Sequence, residues 1–451
     1  MKYKNILLSA AGVIFYAFGQ LQYVPLLLLS VAINYAAGLI LGGSSEKRKI
    51  VLGIAVALNL LMLCIFKYTD FIIENINTAL GTQLAPIGIT LPIGISFFTF
   101  QGISYVIDVY RSPEKKSKSF VNVLLYISFF PRLLAGPIVE YSSCIDELTS
   151  RKCTAGLTAS GIRRFIKGMA KKLLISDVLG HIADTVFNEC LKNGQTDFRL
   201  MWLGGICYML QIYYDFSGYS DMAIGLGGIF GFHFPENFNF PYSASSIKEF
   251  WRKWHISLST WFKDYLYIPL GGNRRGKRRA MLNRMTVFLC TGIWHGANWT
   301  FILWGLCHGL LSSLEDMNIL PFARRNKTLP QLIIGKVYTL ISVMLLFVIF
   351  RADSVSEAFM MIGNMFTGGM NAEGTYLISK LLTPSAVFAL AAGILLCGSF
   401  VPWLKERYEL KGSIGAANAT ALENAAGIVL FLLCILSLSK GGFSPFIYFQ
   451  F

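Results

Sequence analysis

The sequence is short of charge. Asp, Glu, Lys and Arg make up 14% of its 451 residues, where a soluble protein carries about 25%. A disordered chain needs high charge and low hydrophobicity, and 54% hydrophobic residues exclude it. The missing charge also argues against a soluble enzyme of two or three domains, the ordinary reading of this length. Acidic residues are the scarcest, 25 against 40 Lys plus Arg, for a net +15. That excess does not call for nucleic acid, because Lys and Arg collect in the cytoplasmic loops of membrane proteins. No C-x-x-C occurs, so the cysteines give no support to a zinc or redox site. Cys64, Cys207, Cys290, Cys307, Cys397 and Cys434 lie in apolar runs, where Cys is a small hydrophobe. A G-x-S-x-G elbow, a Walker loop and a dinucleotide fingerprint are all missing. So are a repeat of fixed period, inverted halves of the transporter kind, a low-complexity segment and a signal-peptide cleavage site.

What is present is long charge-free stretches. Asn5 to Ser45, Asn75 to Ile107 and Met285 to Leu314 contain no Asp, Glu, Lys or Arg. Each exceeds the roughly 20 apolar residues that span a bilayer as helix. The expectation is an all-α, polytopic membrane protein of the plasma membrane, in contact with lipid, forming a single integral-membrane domain over 1–451. It has about ten or eleven membrane segments, with broken or re-entrant helices and interfacial amphipathic helices. Ile6–Gln20, Val24–Gly42 and Ile50–Phe66 open the series. Pro86 to Ile107 carries Pro92, Gly94 and Gly102 and reads as broken or partly re-entrant. Phe120–Ile138 holds Pro131, Arg132, Gly136 and Pro137, a break tolerable at membrane depth only inside protein or beside water. Leu200–Tyr214 and Met222–Phe232 read as two segments. Met285–Leu314 must turn back on itself if the C-terminus lies outside. Leu332–Phe350, Ser385–Trp403 and Ala425–Ser439 complete the set. Basic loops at Lys47–Lys49, Arg111–Lys118 and Lys405, Arg407 and Lys411 read as cytoplasmic. Arg151–Lys172, with seven basic residues and no acid, reads as an amphipathic helix on that surface.

Polar residues inside such stretches stand out, since a charge at the bilayer centre costs about 2.5–3.5 kcal/mol on insertion scales. Asp215 and Asp221 follow an apolar run, with Ser217 and Gly218 between them as a candidate helix break. The acids could orient a histidine or bind a cation, or pair with nearby basic side chains. His255 lies in a belt of Trp, Tyr and basic residues that suits a membrane–water interface. It could be catalytic, substrate-orienting or simply hydrogen-bonded. His295 sits within thirty uncharged residues beside Gly296, and an intramembrane histidine is a functional candidate by default. His308 has a Gly-rich context that reads as helix packing. Neutral imidazole can take a proton from a hydroxyl and return it, which suits acyl transfer from a thioester to an alcohol. Without a serine elbow, direct transfer with His as base is the simpler chemistry.

At these residues the sequence resembles the membrane-bound O-acyltransferase (MBOAT) family. The similarity is to its bacterial branch of alginate and peptidoglycan O-acetyltransferases, related to the D-alanyl transferase of teichoic acids. The matching blocks are Leu91–Arg111, Phe129–Tyr141, Tyr213–Phe232, Glu236–Tyr242, WHISLSTW with GGNR, GIWHGANWTFILWG and the ending Phe446–Phe451. The resemblance implies that His295 of the W-H-G motif is catalytic and that His255 is the second functional position. Asn237 and Asn239 match the family's polar N-F motif. Trp294 and Asn298 flank His295 in the W-H-G-A-N run, and Asp215 is a candidate orienter. Lys263 and Arg274, within the basic Ile247–Arg279 region, would draw the donor's phosphates. The intact D-Y-L-Y-I-P-L-G-G-N-R run favours acetyl over D-alanyl transfer. Two departures are Arg132, where the family pattern has Gln, and an abrupt start where relatives carry a further apolar stretch.

The implied function is transfer of an acyl group, by preference acetyl, from a cytoplasmic thioester to hydroxyls of an extracytoplasmic polysaccharide. The donor would be acetyl-CoA or an acyl-carrier thioester, with no bound cofactor and no metal. A secreted or membrane-anchored partner transferase would complete delivery. Rival readings are D-alanylation of teichoic acid and, from other classes, a proton-coupled transporter or flippase using Asp215, Asp221 and His295, or a scaffold.

Overall fold

The structure is a computed structural model. It describes every residue except 45, 318, 321, 323–327, 399, 401–402, 404–412, 440, 442–443 and 448–451, and the side chains at 191–192 and 413–420. Lys405, Arg407 and Lys411 and most of the family-like ending therefore lie outside the described residues. The described elements are helical, as the charge-free runs predict. The chain is a multi-pass helical membrane protein. By length and composition, four described helices can each cross a membrane: Lys2–Leu41, Arg48–Leu80, Leu329–Arg351 and Ala421–Ser439. The pair Ala372–Leu381 and Pro384–Leu396, bent by 81°, adds a fifth as a broken span. Other expected segments are shorter or broken, such as Phe120–Ser128, or begin with a basic turn, such as Gly276–His295.

Two compact units form. The first comprises Met1–Ile162 and Ala223–Pro235. Lipid tails are as apolar as Leu, so helices there associate through close packing and polar contacts rather than through burial from water. Asn34 and Asn59 exchange amide hydrogen bonds at 3.1 and 2.9 Å, on two neighbouring helices. Gly102 of the Ile95–Arg111 helix lies against this pair, and a Cβ there would meet Asn34 Nδ2 at 2.4 Å. Gly102 is thus a packing position, and the break falls earlier: residues 82–94 are not helical, and Gly94, at φ 78°, starts the helix. Asp70 holds that stretch by accepting the Ile87 and Gly88 N–H groups at 2.8 and 3.1 Å. The break near Pro131 is also real. Helix Phe120–Ser128 stops, and a short turn, Phe130–Leu133, carries Arg132. Arg132 is buried, donates to the Tyr126 carbonyl at 2.6 Å and lies over the Tyr126 and Phe234 rings.

The second unit comprises Arg163–Met222 and Glu236–Phe451. The expected break at Ser217 and Gly218 is absent, since Phe198–Ile229 is one helix. Gly218 instead permits close helix approach. A Cβ there would meet the Gly168 carbonyl oxygen at 2.7 Å, and a Cβ on Gly168 would meet that of Gly218 at 2.5 Å. The charge-free Met285–Leu314 stretch does turn back, as helices Gly276–His295 and Trp299–Asp316. Gly292 and Gly305 let them touch, each Cβ position lying 2.4 Å from a carbonyl oxygen of the opposite helix. Within Arg151–Lys172 the chain is helical over Ala155–Ala170, and part of its positive charge is used internally. Arg164 pairs with Asp221 and Glu236, and Lys171 also pairs with Asp221.

Candidate active site

The site residues of the second unit are placed by short helices and tight turns. Asn237 to Asn239 form a strap along the chain before the Ile256–Phe262 helix. Ile256 N–H donates to the Asn237 carbonyl at 3.0 Å, and Asn239 N–H donates to that of Lys253 at 2.9 Å. Between those anchors His255 adopts a left-handed conformation, φ 43° and ψ 52°. For a residue with a side chain this costs about 1–3 kcal/mol and persists only where the surroundings impose it. The result buries the imidazole completely.

The tautomer of His255 follows from its neighbours. Asn237 Oδ1 accepts the Ser257 N–H at 3.2 Å and the Ser257 hydroxyl at 2.9 Å, while its Nδ2 donates to Ser220 Oγ at 3.1 Å. A backbone N–H can only donate, so the contacted Asn237 atom must be oxygen. His255 Nδ1, 3.2 Å from that oxygen, must then carry the proton, and Nε2 holds the lone pair. Burial pushes the imidazole down to about 3, so it is neutral at physiological pH. Phe216, from the Asp215 motif, packs edge-on at 4.6 Å between ring centres.

His295 ends its helix, buried. Its ring meets Trp304 and Phe350 edge-on, each at 5.1 Å. Gly296 follows in extended backbone, and a Cβ there would lie 2.1 Å from the Phe301 ring, so close approach demands glycine. Trp294 joins the two motif histidines, its ring 6.1 Å from His255 and 4.9 Å from His295. Asn298 caps the next helix by accepting the Thr300 N–H at 3.0 Å and donates to the Asp353 carbonyl at 2.8 Å.

Other predicted residues are placed elsewhere. Asp215 is not brought to either histidine. Its carboxylate accepts from Lys172 Nζ at 2.6 Å and from the Ile447 N–H at 2.9 Å, and both charged side chains are buried. Lys172 also meets Asp177 at 2.8 Å, and a wide π-type turn over Lys171–Ser176 positions it. Asp221 is likewise held by Arg164 and Lys171. The ion-pair alternative for these acids is the one the geometry realises. Asn239 is exposed and contributes its backbone. Lys263 is mostly exposed and lines a cleft with Trp251. Arg274 is exposed, in the turn after Gly271 and Gly272.

His308 is packed into the unit, as its Gly-rich context suggests. It is fully buried, accepts the Trp251 indole N–H on Nδ1 at 3.2 Å, and meets Trp304 edge-on at 4.9 Å. Trp304 therefore lies between His308 and His295. The buried Nε2 of His308 has no hydrogen-bond partner among the described residues. Trp304 and His308 lie one turn apart on the same helix.

Among the described residues no cluster of His, Cys, Asp and Glu could hold a metal. Imidazoles embedded in aromatic rings suit proton transfer to and from a hydroxyl or thiol. A profile of the membrane-bound O-acyltransferase family, MBOAT, matches residues 44–356. The probable alginate O-acetylase AlgI of Pseudomonas putida is 38% identical over 100% of this chain and 95% of its own length. A peptidoglycan O-acetyltransferase of Helicobacter pylori is 35% identical over 84% of this chain and 76% of its own. More distant is a teichoic acid D-alanyltransferase of Bacillus subtilis, 29% identical over 56% of this chain and 65% of its own. The match over most of the chain shows that this protein belongs to the membrane-bound O-acyltransferase family, as a multi-pass membrane enzyme whose acyl donor is a thioester.

Proposed function

We propose that the chain transfers an acetyl group from a cytoplasmic thioester, acetyl-CoA or an acyl-carrier thioester, to hydroxyls of an extracytoplasmic polysaccharide. His295 acts as general base. It takes the proton of the attacking hydroxyl as the oxygen bonds to the thioester carbonyl carbon. The C–S bond then breaks, and the leaving thiolate takes the proton back from the imidazolium. Atoms and charge balance without a covalent acyl-enzyme. His255 is a positioning residue. With its proton committed to Asn237, its Nε2 can accept a hydrogen bond and so orient a hydroxyl, while it cannot donate to a developing oxyanion. Trp294, between the two imidazoles, shapes the space in which acyl group and hydroxyl meet. Delivery to the polymer would involve a secreted or membrane-anchored partner transferase.

The observation that carries this reading is that the two histidines of separate sequence motifs flank one indole. The acetylating relatives cover nearly all of the chain, whereas the D-alanylating one covers about half, which favours acetyl. A proton-relay transporter fits less well, because both Asp215 and Asp221 are tied to cations. The test is His295→Ala in cells that carry the acetylated polymer. Ester content should fall to background while the protein still inserts at normal level. Full ester content would overturn the assignment.

A further inference from the structure

The proposed transfer leaves one charge unmet. As the hydroxyl oxygen bonds to the thioester carbon, negative charge grows on the carbonyl oxygen, and fixed donors aimed at that oxygen are a main source of acceleration. His255 cannot supply one, because its proton is held by Asn237. Two buried donors of the helix that follows His295 are uncommitted. The first is the indole N–H of Trp304, a group that can only donate. It has no acceptor among the described residues, although Trp304 is 2% exposed and its ring lies 5.1 Å from that of His295. Trp202 and Trp251 of the same unit do give their indole N–H groups to acceptors, the Met365 carbonyl at 2.7 Å and His308 at 3.2 Å. The second is the hydroxyl of Thr300, fully buried and also without a partner among the described residues. A buried helical hydroxyl ordinarily bonds the carbonyl one turn back, as those of Thr291, Ser313 and Thr339 do at 2.7 to 2.8 Å. Thr300 stands in the first turn of its helix, and four residues back is Gly296, in extended backbone outside it. Thr300 and Trp304 are one turn apart on helix Trp299–Asp316 and share a face. The N-terminal end of that helix favours negative charge. Buried donors without acceptors are rare in a folded protein and call for a ligand, a water or a role in chemistry.

We propose, on the basis of the acyl transfer described above, that Thr300 and Trp304 are catalytic donors that hold the thioester carbonyl oxygen while His295 takes the proton. The Thr300 O–H and the Trp304 N–H bond that oxygen as charge reaches it. They keep it until the C–S bond breaks and the oxygen becomes the carbonyl of the new ester. Neither group gains or loses a proton, so the balance of the transfer is unchanged. Phe350 packs on both His295 and Trp304, at 5.1 and 5.2 Å. The donors thus act in a weakly polar setting, where a hydrogen bond to charge is strong.

The test uses the full-length protein in detergent, with acetyl-CoA as the probe donor and a soluble polysaccharide as acceptor. Thr300→Val keeps the shape and removes the hydroxyl, and Trp304→Phe removes the N–H. Each should lower kcat about 100-fold and leave KM for acetyl-CoA nearly unchanged. Thr300→Ser, which keeps the hydroxyl, should retain most of the rate. The thermal midpoint of Thr300→Val should hold or rise, because a buried group without a partner is deleted. The second readout is the infrared stretch of acetyl-CoA labelled with carbon-13 at the thioester carbonyl. Bound to wild type or to His295→Ala, it should lie below its value in solution. In Thr300→Val and Trp304→Phe it should move back up. A stretch that stays at the wild-type value in both variants would overturn the proposal, whether or not kcat falls, since lost packing alone can lower a rate. A fully active His295→Ala would instead remove the base from the scheme, while the stretch still reports the donors.

Discussion

Two polar regions of the second unit behave oppositely. Around Lys172, Asp215, Asp177, Lys171, Asp221 and Arg164, charge meets opposite charge at 2.6 to 3.0 Å. Around His255, His295 and His308, imidazoles are set among Trp and Phe rings, and His255 is oriented by an amide. A buried group whose charge is neutralised on the spot is committed to the fold. An imidazole is a group that can take up a proton and return it. Ion pairing was one of the two readings open for the aspartates beside the apolar run, and it is the geometry they adopt.

The comparison breaks hardest at the ion pairs. Asp215→Asn leaves Lys172 facing Asp177 alone, and removing one partner of a buried pair costs about 3–5 kcal/mol. The expected result is a large fall in thermal midpoint and in yield. The double variant K172M/D215L should recover most of that stability, which thermal unfolding in detergent checks. If D215N instead kept full stability and lost only turnover, Asp215 would belong with the histidines.

The next largest effect concerns the support of His255. Asn237→Ala removes the acceptor that fixes the tautomer, and turnover per folded molecule should drop about tenfold or more, within the range of acid–base positioning effects. Steady-state kinetics on detergent-purified protein check it. An unchanged rate would mean that the tautomer is immaterial. His255 also bears on pH. Its folded value of about 3 lies below the ordinary 6.5. Between those values the unfolded chain binds more protons, so stability should decline as pH falls from 6.5 toward 3. His255→Gln should flatten that decline, as thermal midpoints across that range would show. The smallest effect is expected at Asn298, beside the W-H-G motif. As a helix cap its replacement by Ala should cost about 1 kcal/mol of stability, with turnover per folded molecule unchanged. A deep loss of turnover would move Asn298 into the chemistry.

Much of this was legible in the residues. Charge-free runs marked the apolar helices, the Pro131 break was visible, and the motif histidines could be named before any contact was known. What could not be read was which distant side chains meet. The Asp215 partner lies 43 residues upstream on a π-type turn that no local pattern announces. Gly218 looked like a helix break, yet only the approach of Gly168 shows it to be a packing glycine. His308 read as packing, but its hydrogen bond to Trp251, 57 residues away, could not be read from that context. Local periodicity reports helices, whereas pairing across the unit depends on how those helices cross.

The proposed transfer depends on His295 as the carrier of the proton. The most direct measurement is thiol release from an acetyl thioester by purified protein, supplied with a soluble polysaccharide acceptor, comparing wild type with His295→Ala at equal folded concentration. The expected result is a fall of about 100-fold or more, with ester formation lost in step. Release and ester formation within a few-fold of wild type would contradict the claim.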